Sequence, residues 1–416
     1  MVHRLASQRF QLPECFSGGG ARNRRPGEAG GIRIPTVHNP KGFRDEIRIW
    51  IRTDPAYDNF FRIGRNAFQQ RRKKIAKPYG VFSSKVTPKS AIHPLCKGLL
   101  LRTSWSKLEP QQGRYDFSDI DRQIEMATRG NRNAESLAFS LAISAGLGGS
   151  AQGPNYPAWL IDEGVETMPI QFRGKEGLVP KMWDPRFQKR LKELADAVSQ
   201  KFANDNRLQL VYVPQATANG VEGHFNGTSY AVLTRSGLTA DVWVGAVKQA
   251  AMAFADAFDT CAIAVEVHEV LGSPEIPMRI LTELNQDPRY GDQIGAGMWW
   301  ISGGTRYQPA LVRALKNYPG DIYGQIIGNS SQPYRFGDKS GDFTTVYRQA
   351  IELEVRYLEA WNFEFDFNTQ DQNIENFNKY AHEKYAMGIA NPRTPSFVKP
   401  KVTTQGFRRL RQRPQR

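Results

Sequence analysis

The sequence predicts an α/β fold, a (β/α)8 TIM barrel with a flexible N-terminal arm and a basic C-terminal tail. Three observations carry this expectation. Short apolar runs alternate along the chain with stretches whose apolar residues recur at helical spacing. The runs are mostly apolar throughout, as expected of parallel strands covered on both faces. The 416 residues also leave room for a barrel of about 250 residues or more with appendages.

Residues 1–40 are rich in Gly, Arg and Pro, including Gly18-Gly-Gly20 and Gly30-Gly31, and too poor in apolar residues to repay the ordering of a compact unit. They read as a flexible arm. Residues 41–94 read as an N-terminal extension that supplies a barrel strand. Two segments compete for that role, 47–52, where Ile47, Ile49 and Ile51 alternate with Arg48, Trp50 and Arg52, and 79–86.

The barrel is expected over 95–387, with strands near 98–103, 136–143, 208–216, 261–267, 294–301, 321–328 and 356–363. Helical stripes lie between them: Phe117, Ile120, Ile124 and Ala127; Phe187, Leu191, Leu194, Val198 and Phe202; Val247, Ala251, Phe254 and Phe258. Seven β-then-α units argue for a parallel sheet that an eighth, N-terminal strand closes. A doubly wound open sheet is the rival, weakened because no Gly-rich phosphate turn follows the first strand. Gly146-Leu-Gly-Gly149 and Gly303-Gly304 lack a P-loop or dinucleotide frame and read as turns, so no cofactor is indicated. The stretch from Gly146 to Lys181 has few periodic apolar positions and carries Trp159, Phe172 and Trp183. It reads as a long loop walling the cleft, on the side of the strand ends where barrel enzymes build their sites.

The formal net charge of +15 is concentrated at two places. From Lys384 onward nine Lys and Arg residues meet no later carboxylate, and Arg71-Arg-Lys-Lys74 precedes the barrel. Residues 388–416 therefore read as a basic tail suited to an acidic partner surface, and without a recognition motif nucleic acid is not the expected partner. Cys15, Cys96 and Cys261 have neither disulfide nor metal-ligand spacing, so no metal is indicated. No apolar run reaches membrane-spanning length, and Met1 to Phe10 lacks the apolar core of a secretory signal. A soluble product is expected, and cytoplasmic and extracellular placement both stay open.

Trp105-Ser-Lys-Leu-Glu-Pro-Gln-Gln-Gly-Arg-Tyr-Asp-Phe-Ser-Asp-Ile-Asp121 resembles a run in the family 42 β-galactosidases and related retaining glycoside hydrolases, where it follows an early barrel strand. Pro157-Ala-Trp-Leu160 and Trp183-Asp-Pro-Arg-Phe187 match the same families in order and rough spacing. The resemblance implies hydrolysis of a β-linked glycan by two carboxylates, one protonating the leaving oxygen and one attacking the sugar. In that clan an Asn-Glu pair ends the fourth strand and the nucleophile ends the seventh. Here the pair is absent, Asn219 being followed by Gly220, with Glu222 the nearest acid in Asn219-Gly-Val-Glu-Gly-His224.

Three acids near strand ends are the catalytic candidates: Glu222, Glu269 in Val265-Glu-Val-His-Glu269, and Glu359. Two registers stay open. If the Trp105 strand is second, Glu222 follows the fourth strand and the seventh offers no glutamate at its end. If it is first, His268-Glu269 ends the fourth strand, and Glu359 or Glu364 serves as nucleophile. In the resembled family the motif around Glu109-Pro110 shapes the strand-to-helix loop, and the resemblance implies that role for Glu109 here. Sugar rings stack on aromatic faces, so Trp105, Trp159, Trp183, Trp299, Trp300 and Trp361, with Asn219, His224 and His268, are the candidate glycan contacts. Adjacent Trp299 and Trp300 must point to opposite faces of a strand, so only one of them can line the mouth. A barrel that has lost a carboxylate and only binds glycan, or serves in assembly, is the alternative function.

Overall fold

The computed structural model describes residues 74–129, 131–148 and 153–399. Eight parallel strands close a barrel: β1 Gly80–Ser83, β2 Gly98–Ser104, β3 Ala138–Ser144, β6 Leu208–Tyr212, β7 Ala262–Glu266, β8 Ile294–Ile301, β9 Ile322–Ile326 and β10 Val355–Ala360. The short β1 pairs with β10 on one side and β2 on the other, which completes the cylinder. The closing strand thus lies within 79–86, whereas 47–52 is outside the described residues. Trp105 follows the second strand, so β6 is the fourth, β7 the fifth, β9 the seventh and β10 the eighth. Counted in chain order from the closing strand, the Trp105 strand is the second of the eight.

Side chains alternate along each strand, so one set faces the helices and the other fills the barrel. The outer set joins the helix stripes in one large core, with Phe187, Leu191, Leu194 and Val198 of the helix Pro185–Lys201 and Val247, Ala251 and Phe254 of the helix Ala240–Ala257 buried as their spacing predicts. The inner set is a separate cluster in which Phe82, Tyr212, Trp299, Tyr323 and Tyr357 oppose alanines. Glycine makes room for the rings: a Cβ on Gly98 would stand 2.2 Å from the Phe82 ring and one on Gly295 2.8 Å from that of Tyr323. Large rings on some strands are accommodated by missing side chains on their neighbours.

The motif residues build the connections. Asp184 caps the helix that follows it, accepting from Arg186 N at 2.7 Å and Phe187 N at 3.2 Å, while Pro185 opens the first turn with no N–H to orphan. Glu109 is buried and accepts from Trp105 Nε1 and Gly113 N, both at 2.8 Å, and its carbonyl accepts from Trp159 Nε1 at 2.9 Å. The acid of the Leu-Glu-Pro motif is therefore a loop organiser.

The stretch 146–181 is not the unstructured loop its composition suggests. It contains a helical turn, Trp159–Asp162, and an antiparallel hairpin of β4 Thr167–Phe172 and β5 Lys175–Pro180. Arg173 and Gly174 turn it with φ of 51° and 76°, the left-handed pair a two-residue hairpin requires. Met168, Ile170 and Phe172 face inward at alternate positions, the period-two pattern of a half-buried strand. Beyond the last helix, Asp371–Tyr385, the first part of the basic tail runs back along the barrel: Val398 exchanges backbone bonds with the Asn373 side chain, and Phe397 stacks on Tyr347 at 5.2 Å. Among the described residues no helix is long and apolar enough to cross a membrane.

Candidate active site

The site lies at the C-terminal mouth of the barrel. After β6 the chain makes a tight loop through Glu222 before the helix Tyr230–Arg235. The loop is held by backbone contact: Gly220, at φ +92°, stands against Ala145 and Gly146, and a Cβ on either Gly146 or Gly220 would meet backbone at 2.2 Å. Buried Gln215 ties the loop to the neighbouring strand by donating to Val221 O at 3.0 Å and Glu266 O at 2.8 Å. Asn219 closes the turn, its Oδ1 accepting from Val221 N and Glu222 N while its Nδ2 donates to Glu222 Oε2.

Glu222 is thereby aimed into the mouth with 20% of its side chain exposed. Burial, reinforced by the nearby Glu266 carboxyl, pushes it up to about 7, and His268, the Asn219 bond and Arg102 pull the other way. Glu266 ends the fifth strand with no exposed surface on its side chain. Its Oε1 accepts from Trp299 N at 3.0 Å, and its Oε2 accepts from Gly223 N at 2.8 Å and meets His268 Nδ1 at 2.9 Å. Burial holds the Glu266 carboxyl well above the usual range and pushes His268 down to about 4.

His224 lies against His268 at 5.0 Å between ring centres and is pushed down to about 3, chiefly by burial. Its Nδ1 accepts from Asn226 N at 3.2 Å, so the neutral ring carries its proton on Nε2, which faces Glu222 Oε2 at 3.9 Å. One donor atom each of Glu222, Glu266 and His268 falls within 4.8 Å of the others. Both Glu266 oxygens already accept backbone N–H groups, and Oε2 meets the His268 imidazole as well, whereas Glu222 Oε1 stands 4.0 Å from His268 Nε2.

Glu359 of the eighth strand is fully buried among the interior Tyr212 and Tyr357 side chains. Its Oε1 accepts from Tyr357 Oη at 2.6 Å and Tyr212 Oη at 3.0 Å, and its Oε2 from Gln325 Nε2 at 2.5 Å. Ser140 and Tyr357 hydroxyls are 2.6 Å apart, extending the network across the barrel. Burial raises this carboxyl too, and the three donors and the Arg102 charge oppose the rise. On the seventh strand, where the resembled families carry their nucleophile, the side chain reaching this network is the amide of Gln325.

The structure brings Asn219, Glu222, His224 and His268 together at the mouth, with Trp299 lining the adjoining cleft. Glu269 is displaced from this group: strand parity turns Glu266 inward with Ala262 and Ala264, and Glu269 is held at its backbone N–H by the Gln308 side chain. Glu364 is a buried bridge from the helix after β10 to Ser330 and Thr369. Several of the tryptophans are structural. Trp105 is wholly buried against Trp159 and Phe187, and Trp159 and Trp183 pack on the outer core. Trp300 points outward, donating to Val267 O at 2.9 Å, and Trp361 donates to Ile326 O at 2.8 Å. Trp299 is the inward member of the pair.

Glu266, Arg102, Tyr212 and Gln325 were not among the residues singled out from sequence. For Glu266 the signal was available, since Ala262-Ile-Ala-Val-Glu-Val-His268 places it in phase with small interior residues.

Residues 100–221 match the family model described as Beta-galactosidase, less than a third of the chain, and the segment carrying the Trp105–Asp121 resemblance falls inside it. No curated protein matches. Among solved structures, endo-glycoceramidase II from Rhodococcus sp. is similar at 13% identity and a TM-score of 0.42, covering 69% of this chain and 75% of that one. GH10 from Paenibacillus barcinonensis is similar at 12% identity and a TM-score of 0.38, covering 68% and 83%. TsXylA, the intracellular xylanase from Thermoanaerobacterium saccharolyticum, is similar at 13% identity and a TM-score of 0.37, covering 69% and 86%. The chain itself is a closed eight-stranded parallel (β/α)8 barrel.

Proposed function

We propose that the protein hydrolyses a β-linked glycan at the barrel mouth, with Glu222 as the proton donor and Glu359 as the second carboxylate. The observation that carries this reading is Glu222 itself, a carboxyl after the fourth strand with 20% of its side chain exposed, that burial pushes up to about 7. A general acid works best when its pKa lies near the working pH, and this one keeps its proton where an ordinary glutamate has lost it.

Glu222 would protonate the glycosidic oxygen as the C–O bond breaks and Glu359 attacks the anomeric carbon. The leaving alcohol carries the proton away. Glu222, now a carboxylate, would then take a proton from the water that displaces Glu359. Glu359 is preferred to Glu266 for the attack because hydroxyl and amide side chains hold it and can yield to a substrate. Glu266 is pinned by two backbone N–H groups.

A second reading, a barrel that binds glycan without cleaving it, is favoured by Gln325 on the seventh strand and by the sealed state of Glu359. Hydrolysis of a broad panel of aryl β-glycosides by the full chain and by Glu222→Gln, Glu359→Gln and Glu266→Gln variants separates the two. Turnover lost in the first two and kept in the third supports the assignment. Folded protein that binds glycosides without turnover supports the binding barrel.

A further inference from the structure

The cleft beside Glu222 is formed by two adjoining cavities of about 270 and 180 Å3 that share Arg102, Thr103, Ser144 and Asn155. Their described lining residues carry the Arg102 guanidinium, hydroxyls, side-chain amides and the Lys107 ammonium, and the nearest carboxylate to that ammonium, Asp119 behind the wall, stands 4.0 Å from it and accepts from Thr103. Arg102 is exposed to this space. Its backbone is clamped on both sides by Gln123, which accepts from Arg102 N at 3.0 Å and donates to Arg102 O at 2.9 Å. Its guanidinium lies 4.9 Å from the Trp299 ring centre, so the aromatic face supports the planar fork.

Among the described residues no carboxylate comes within 4.0 Å of Arg102, Arg173 or Arg335. Arg335, held down chiefly by burial, also feels the Arg173 charge, and Glu222 acts on it in the opposite direction. Glu359 does not call for Arg102 as a direct partner, since three other side chains already serve its oxygens.

We infer that the sugar bound in this cleft carries an anionic group, a uronate carboxylate or a sulfate ester, gripped by the Arg102 guanidinium. This rests on the hydrolase reading for the position of the scissile bond, and extends it to the substrate class. A neutral sugar would dehydrate the guanidinium without offering it a charge, whereas two oxygens of an anion match its fork. The competing role for Arg102 is purely through-space, lowering Glu222 and Glu359 from a distance. Lysine would serve that role equally well and would fail at a two-point grip.

The test measures binding to the full-length Glu222→Gln protein, which holds ligands without turnover. The probes are p-nitrophenyl β-glycosides differing at C6 alone, with carboxylate, sulfate ester or hydroxymethyl, in gluco and galacto forms. The anionic probes should bind at least about tenfold more tightly than the neutral one. Arg102→Met should weaken them by about 10- to 100-fold while leaving the neutral probe within about twofold, with unchanged melting temperature certifying the fold. Arg102→Lys should recover little of the loss. The tighter anionic probe identifies the group. Equal binding of all probes, a preference that survives Arg102→Met, or full rescue by lysine overturns the inference and leaves the hydrolase reading standing. Failure of every probe to bind folded protein overturns both.

Discussion

Replacing Glu222 with Gln should make the protein progressively more stable than the parent as pH rises. The glutamine is isosteric with the protonated acid, keeps an oxygen for the Asn219 amide, and cannot ionise. In the unfolded chain Glu222 titrates near 4.3, and in the fold near 7. The fold therefore favours the protonated form, and the unfolded chain binds fewer protons between those values, so stability falls with rising pH. The contribution is fully present below about pH 4 and gone above about pH 7. A displacement of about 2.7 pH units corresponds to about 3.7 kcal/mol before screening. With 20% of the side chain exposed, most of that should survive solvent screening. Urea unfolding of both proteins from pH 4.5 to 8.5 reads the effect: the stability difference should open from near zero to about 3 kcal/mol in favour of Gln. Because Glu266, Glu359 and the histidines are present in both, their own titrations largely cancel. A difference constant to within about 0.5 kcal/mol would mean that Glu222 titrates normally. A difference of opposite sign would mean that His268, Asn219 and Arg102 together outweigh burial.

In turnover, kcat/KM should decline above about pH 7 as Glu222 loses its proton, and Asn219→Ala should move that limb upward, because the lost bond favours the carboxylate. Gly220→Ala should lower stability by about 1–3 kcal/mol in denaturant unfolding, since the new methyl meets the backbone of Ala145 and Gly146 at a positive φ. Asp184→Ala should cost about 1–2 kcal/mol by the same measurement through loss of the helix cap. A Cys15→Ser protein should resist thiol reagents at pH 8 until unfolded, because burial pushes Cys96 up to about 12 and Cys261 to about 11.

Strands announced by apolar runs, and helices announced by stripes such as Phe187 to Val198, were legible because each pattern reflects burial of one element against its neighbours. The hairpin at 167–180 was not read, because its alternation is short and sits among turn residues. Glu222 was legible as an acid after a strand. Its neighbours Glu266 and Glu359 looked alike in sequence, one as an unremarked strand residue and the other as a candidate nucleophile.

The sequence by itself pointed to a parallel barrel through its alternating apolar runs and helical stripes and to a helix after Trp183-Asp-Pro-Arg-Phe187, and the family resemblance added the loop-shaping role of Glu109, since each pattern is set by residues close along the chain. Tertiary structure alone decided which strand closes the cylinder, and hence that Glu222 follows the fourth strand and Glu359 belongs to the eighth. It also decided which acids meet. Glu266 is paired with a backbone N–H 33 residues away, and Tyr212 reaches Glu359 across 147 residues. Barrel closure brings these groups into one small, dry volume, and the loss of water there sets their protonation.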